Sequence, residues 1–292
     1  MSSFLSNIPE WVANAPVEQR NFRRAVHIVL EAIAKNKRLG ELLCMKGGIL
    51  MALHYDSPRF TTDIDFSTPE AFTEQAEKEV VQLMSESLVA VSNELDYDID
   101  CRLQGYKIKP SRSKTYVSIF MSIGFAERGR PEYAKLLRGQ SPHTVSLDYN
   151  FKESIPQVEE VSIGLDGVLR VYALSTLVAE KFRSLLQQPI RNRNRRQDVF
   201  DIYHLLSKRK QLYVEGCMRA VLEDLIVKCA DRDVPVSIDS IDQPAVHDMA
   251  EEDYGTLEIE VSGDLPDFEE AFAQISAYYR SLPWSNLEEL SA

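Results

Sequence analysis

The chain has 292 residues, 44% of them hydrophobic and 27% charged, which fits one large or two modest globular domains and excludes disordered or collagen-like classes. Its formal net charge of -12 argues against a surface coated in basic charge for nucleic acid, while leaving room for a local basic groove. The four cysteines, Cys44, Cys101, Cys217 and Cys229, have neither CxxC nor zinc spacing and read as reduced thiols of a cytoplasmic protein. No signal peptide is visible, and no window approaches about 18 uninterrupted apolar residues, so no membrane association is expected.

Apolar residues at helical spacing (Phe22, Ala25, Val26, Val29, Leu30, Ile33) predict a helix from about Val17 to Lys37. A short apolar stretch, Leu42 to Met45, runs into Lys46-Gly47-Gly48, and a second short helix spans Ile49 to Tyr55. The turn signal Asp56-Ser57-Pro58 precedes an alternating strand, Arg59 to Phe66. Thr68 as N-cap and Pro69 at the first helical position then predict a long helix to about Val91. Three strands follow, Tyr97 to Ile108, Lys114 to Phe125 and His143 to Phe151, the first two pairing around Pro110 and Ser111. A further strand pair is expected at Val161 to Leu165 and Val168 to Tyr172.

From Leu174 the pattern turns helical: Leu174 to Gln187, Arg195 to Ser207 and Val214 to Cys229, with a turn at Gln188-Pro189. The acidic stretch Asp231 to Asp264 reads as irregular, with a short strand at Leu257 to Val261, before a last helix from about Pro266 to Leu282. Order and composition thus divide the chain into an α+β part, residues 1–172, and a mainly helical part, residues 173–292.

The chemistry concentrates in Lys46-Gly47-Gly48 and Asp63-Ile64-Asp65. Residues i and i+2 of a strand share a face, so Asp63 and Asp65 project side by side, and two such carboxylates call for a cation such as Mg²⁺. The glycines let backbone N–H groups approach a phosphate at the start of the following helix. A third carboxylate would complete a two-metal cage, and Asp148, in the apolar strand around Val145 to Tyr149, is the candidate. Asp98 and Asp100 form a second, more polar DxD. Each motif by itself also fits an ordinary turn or surface pair; their ordered combination describes a site for a metal and a triphosphate.

These residues, KGG followed by RFTTDIDFS, resemble the first motif of the DNA polymerase β-like nucleotidyltransferases, and specifically the AbiEii/AbiGii toxin family. A second segment is similar too: Ala179-Glu180-Lys181-Phe182-Arg183, then Arg195-Arg196-Gln197-Asp198-Val199-Phe200-Asp201-Ile202-Tyr203. The resemblance runs roughly from Leu42 to Leu206. It implies a polymerase β-like core, a mixed sheet with flanking helices, followed by a helical domain. It implies that Asp63, Asp65 and Asp148 bind two Mg²⁺ ions and that Gly47 and Gly48 hold the triphosphate of an NTP. Lys181 and Asp198 would be the active-site pair supplied by the helical part. Two departures stand out: Gly47-Gly48 replaces a common Gly-Ser, and Gln197 stands where Arg or Lys is usual, leaving Arg195 or Arg196 to supply the charge.

Read from the residues alone, Lys181 on a buried helix wants an anionic partner, or snorkels to the surface. Asp198 and Asp201 share a helix face and could be structural ion pairs, Asp201 above all. The run Arg191 to Arg196 inverts the local sign of charge and could attract triphosphate or RNA, or be a solvated loop. Nucleotide binding is thus assigned to Lys46, Gly47, Gly48, Arg59, Arg195 and Arg196. The five histidines show no metal-ligand pattern. The expected activity is Mg²⁺-dependent transfer of a nucleotide from an NTP to an acceptor, with release of pyrophosphate. The resemblance adds a toxin of a toxin–antitoxin or phage-defence pair, a cognate antitoxin as partner, and tRNA as acceptor. The alternatives are a nucleotide-binding interaction protein without turnover, and the same chemistry on a protein or small molecule.

Overall fold

Alternating apolar residues in the strands around Ile64, Ile119 and Leu147 need one covered face, and a single mixed sheet provides it. The computed structural model describes residues 8–164 and 167–286. The chain forms two compact units, the first made of Met1–His54, Thr61–Glu153 and Val158–Val171, the second of Tyr55–Phe60, Ser154–Gln157 and Tyr172–Ala292.

The first unit carries α1 (Ile8–Ala13), α2 (Arg20–Lys35), α3 (Lys37–Leu42), β1 (Cys44–Lys46), α4 (Gly47–His54), β2 (Asp63–Ser67), α5 (Glu74–Glu94), β3 (Ile99–Lys109), β4 (Ser118–Glu127), α6 (Pro131–Leu136), β5 (Thr144–Asn150), β6 (Val158–Ile163) and β7 (Gly167–Tyr172). Its seven strands are ordered β3-β4-β5-β2-β1-β7-β6. β2 runs parallel to β5 and β1 parallel to β7, while β1–β2, β3–β4 and β4–β5 are antiparallel. Ile64, Phe66, Ile119, Met121, Leu147 and Tyr149 are fully buried on one face, which helices α2 and α5 cover. A one-residue slip of any of these strands would exchange buried apolar and polar side chains, so the register is strongly specified.

The second unit is helical: α7 (Leu174–Leu186), α8 (Gln188–Arg191), α9 (Arg196–Lys208), α10 (Glu215–Ala230), α11 (Pro244–Glu251) and α12 (Phe268–Ser281). α7 packs on α9 and α10, and α12 on α9. Phe182 lies at the centre, its ring 5.3 Å from that of Tyr279. Among the described residues no helix is long and apolar enough to cross a membrane.

The observed α+β architecture, a mixed sheet with flanking helices, is the one expected from sequence, with local corrections. The helix predicted from Thr68 starts at Glu74, because residues 68–70 are tied by backbone hydrogen bonds to the end of β5 and the residues just after it. The Thr68 N–H donates to the Asn150 carbonyl at 2.9 Å, and the Glu153 N–H to the Thr68 carbonyl at 3.0 Å. Thr73 is the N-cap, its hydroxyl accepting from the Ala76 N–H at 3.0 Å. The strand expected from Arg59 begins at Asp63. Arg59 instead makes an isolated bridge with Val261 within the second unit. The strand expected at Leu257 to Val261 is a 3-10 turn, Tyr254–Ile259, that leaves only Val261 paired. The Asp231 to Asp264 stretch also holds α11, and α6 was not foreseen. Leu165, the expected end of a strand, lies outside the described residues.

Candidate active site

β2 owes its position to Ile64 and Phe66, which sink into the core and leave Asp63, Asp65 and Ser67 on the opposite face. The parallel register with β5 sets Asp65 directly beside Asp148, and Asp63 beside Ser146. With neighbouring strands about 4.8 Å apart and about 3.3 Å of rise per residue, three carboxylates from two strands share one small area. Asp63 is exposed, whereas Asp65 and Asp148 are half-buried. Oxygen donors in this number and spacing fit a pair of hard divalent ions.

On the other side of β2, strand β1 sets Lys46 opposite Asp65. The chain then turns at Gly47, whose φ of +76° belongs to the left-handed region, into α4. A Cβ at Gly47 would stand 2.1 Å from Asp65 Oδ2, so glycine is required both by the backbone and by the carboxylate pressed against it. At Gly48 a Cβ would stand 2.8 Å from Thr61 Cγ2 and 3.0 Å from Thr61 Oγ1. The room that a serine side chain would need is therefore narrowed by Thr61, whose hydroxyl lies next to Gly48. Sequence reasoning missed Thr61, although it lies in the quoted TTDID motif.

Lys46 is buried, its ammonium donating to Glu153, which also accepts from the Ser67 hydroxyl. The charge expected to meet a nucleotide is thus paired inside the unit, by a carboxylate 107 residues away that no local signal marks. Asp100 of the second DxD is buried between Arg102, Arg128 and Tyr133, at 2.9, 2.8 and 2.7 Å. Burial would push its carboxyl up, but Arg128, Tyr133 and Arg102 hold it below the usual carboxylate range. Asp100 is therefore a structural anchor.

The second unit gathers another group. Lys181 on α7 donates to Asp198 Oδ1 at 3.2 Å and Asp201 Oδ2 at 2.6 Å, both on α9. Arg59 binds Asp201 bidentately, Nε at 3.0 Å and Nη2 at 2.8 Å, and Arg195 Nε binds Asp198 at 2.7 Å. Asp201 is completely buried. Burial acts to raise its carboxyl, yet Arg59 and Lys181 hold it far below the usual range. Burial likewise works against the charge of Arg59, and Asp201 outweighs it, raising the guanidinium above its ordinary value. Arg196 reaches Thr256 and Glu260, both at 2.9 Å. Within the run, Arg191 and Arg193 are exposed. The structure thus brings Lys181 and Asp198 into contact, and Asp201, expected as a structural ion pair, and Arg59, expected at the nucleotide, belong to the same cluster.

His247, one of the five histidines without a metal-ligand pattern in the sequence, lies with Glu251 and Glu269, its Nε2 3.2 Å from Glu269 Oε1. Its ring is wedged edge-on against Phe268 and Phe272.

No curated protein matches the sequence. Among solved structures the fold is similar to JHP933 from Helicobacter pylori (TM-score 0.52, 12% identity, covering 95% of this chain and 97% of that one). It is also similar to MenT4, a nucleotidyltransferase toxin from Mycobacterium tuberculosis H37Rv (TM-score 0.58, 15% identity, covering 96% of this chain and 91% of that one). The family model of the nucleotidyl transferase AbiEii toxin, of type IV toxin–antitoxin systems, matches residues 28–274. With most of its length matched and both motifs in place, the chain belongs to the AbiEii nucleotidyl transferase toxin family.

Proposed function

We propose that this toxin nucleotidyltransferase transfers a nucleotide from an NTP to a hydroxyl of tRNA in a Mg²⁺-dependent reaction, as the toxic half of a toxin–antitoxin or phage-defence pair in the cytoplasm, held in check by a cognate antitoxin. The observation that carries the reading is the register that sets Asp65 beside Asp148 on the face that also bears Asp63. Asp63, Asp65 and Asp148 would hold two ions, since all three offer hard oxygen donors. Bound there, Mg²⁺ would acidify the acceptor hydroxyl and offset the charge of the triphosphate.

The Gly47 and Gly48 N–H groups, at the start of α4, bind phosphate oxygens, and the Thr61 hydroxyl donates where a serine is usual. Lys46, locked to Glu153, acts on the nucleotide through the turn it anchors. Asp148 takes the proton of the acceptor hydroxyl. The acceptor oxygen bonds to the α-phosphorus as the bond to the bridging oxygen breaks, and pyrophosphate leaves. Lys181 and Asp198 are proposed as the catalytic pair of the helical unit, with Arg59 and Asp201 holding the lysine in place. Arg195 and Arg196, both half-buried, are proposed phosphate contacts.

The test incubates the protein with Mg²⁺, each labelled NTP in turn, and total RNA or total protein. Label in RNA of tRNA size, abolished by EDTA and by Asp63→Ala or Asp65→Ala, is the expected result. Intact NTP binding with label in neither fraction would overturn the enzyme mechanism.

A further inference from the structure

The carboxylate face of the sheet does not end at β5. The register continues one row of side chains across four strands: Asp65 on β2, Asp148 on β5, Phe120 on β4 and Lys107 on β3. The flanking row runs Ser67, Asn150, Ser118 and Lys109. Lys107 and Lys109 are therefore on the same face as the carboxylates, both exposed, with Lys107 roughly 10 Å from Asp148 at two strand spacings. Over this end of the sheet lies an open cavity of about 500 Å³ lined by Gln104, Lys107, Phe120, Ser122, Gln140 and Thr144.

The cavity is built rather than incidental. Gln104 donates to the Ser141 carbonyl at 3.3 Å and accepts from the Ser141 N–H at 2.6 Å, tying β3 to the segment before β5. A Cβ at Gly124 would lie 2.5 Å from the Gln104 amide, so the glycine lets that side chain lie across the sheet. The Lys109 ammonium sits 3.9 Å from the centre of the Phe120 ring, which holds the cation above the sheet.

Resting on the nucleotidyl-transfer reading, we propose that this cavity receives the single-stranded 3′ end of a polynucleotide acceptor, its phosphodiester backbone on Lys107 and Lys109 and its terminal hydroxyl at Asp148. The side of the sheet decides between donor and acceptor. The Gly47–Gly48 turn leaves from β1, on one flank of the carboxylates, and the cavity lies over β3 and β4, on the other. The charge runs the right way, from carboxylates at the reacting end to lysines one or two nucleotides behind it. The cavity has the volume of a small-ligand site, enough for a nucleoside, and lysines beside an aromatic ring are the usual equipment for holding a single strand. Lysines on an edge strand also discourage edge-to-edge pairing, a role that needs no ligand.

The experiment titrates the full chain, without NTP, into a short 5′-fluorescein-labelled single-stranded RNA with a free 3′ hydroxyl and reads anisotropy. Losing two phosphate contacts in Lys107→Ala/Lys109→Ala should weaken binding about tenfold and flatten the log–log salt slope by about 1.4. Thermal unfolding and NTP binding should stay as in the unsubstituted chain. The same RNA carrying 4-thiouridine next to its 3′ end should crosslink to a β3–β4 peptide. Equal RNA binding by both chains, or crosslinks confined to other segments, overturns the proposal and leaves nucleotidyl transfer standing. Label transfer to protein by a chain that fails to bind the RNA also overturns it. Loss of NTP binding and transfer in the unsubstituted chain would instead sink the reading on which it rests.

Discussion

At Gly47 backbone geometry and site chemistry meet in one atom's worth of space. Gly47→Ala would put a methyl 2.1 Å from Asp65 Oδ2 on a backbone at φ +76°, displacing the turn or the carboxylate. A displacement of about 1 Å in a reacting group costs on the order of 100-fold, so kcat/KM should fall by about that factor. A fall under tenfold would show that phosphate binding does not depend on this turn. Asp201 carries a different kind of weight. It is buried against Arg59 and Lys181, so Asp201→Ala leaves two cations without their partner and should destabilise the protein by about 3–5 kcal/mol in urea unfolding. The exposed Asp63→Ala should change stability by less than about 0.5 kcal/mol. Because the Asp201 carboxyl is held below its ordinary value, its contribution is present at neutral pH and is lost as the pH falls below about 4. Asp63 and Asp65 were legible because a strand repeats every two residues. Glu153, the buried partner of Lys46, was not, because nothing near it in the chain reports a lysine 107 residues away.

At the scale of elements, local signals and long-range pairing compete. Thr68-Pro69-Glu70 has the residues of a helix start, yet the Thr68 N–H is already held by the Asn150 carbonyl. The carbonyls of Thr68 and Glu70, which a helix starting there would use as acceptors, are likewise taken by the N–H groups of Glu153 and Lys152, so α5 starts at Glu74 behind Thr73, the next residue able to cap it. Thr73→Ala should therefore cost about 1 kcal/mol, read as a lower midpoint in thermal or urea unfolding. An unchanged midpoint would remove Thr73 as the cap. Most other elements were legible from periodicity, including the β3–β4 hairpin, α7, α9 and α12. The misread strand at Leu257 to Val261 shows the opposite limit. The 3-10 turn buries Leu257 and leaves Ile259 exposed, whereas a strand would set both on one face, and alternation over five residues cannot distinguish the two.

For the molecule as a whole, a net charge of -12 coexists with an arginine-rich run and a lysine-bearing sheet face, so a negative total leaves local concentrations of positive charge. Family membership makes toxicity the natural whole-cell readout. Expression of the unsubstituted chain should slow growth more than the Asp63→Ala chain at equal protein level. Equal slowing would speak against catalysis as the cause. The sequence by itself determined the DxD strand and the glycine turn, because each is written in spacings of a few residues that the strand period and turn geometry convert into a shared face, while the fold class and the Lys181–Asp198 pair were implied by the family resemblance of its motifs. Only the tertiary structure decided that Asp148 is the neighbour of Asp65, that Thr61 packs against Gly48, and that Asp201 is locked by Arg59. It alone extended the carboxylate face to Lys107. Strand order and register join residues tens to more than a hundred positions apart, and no local period encodes them.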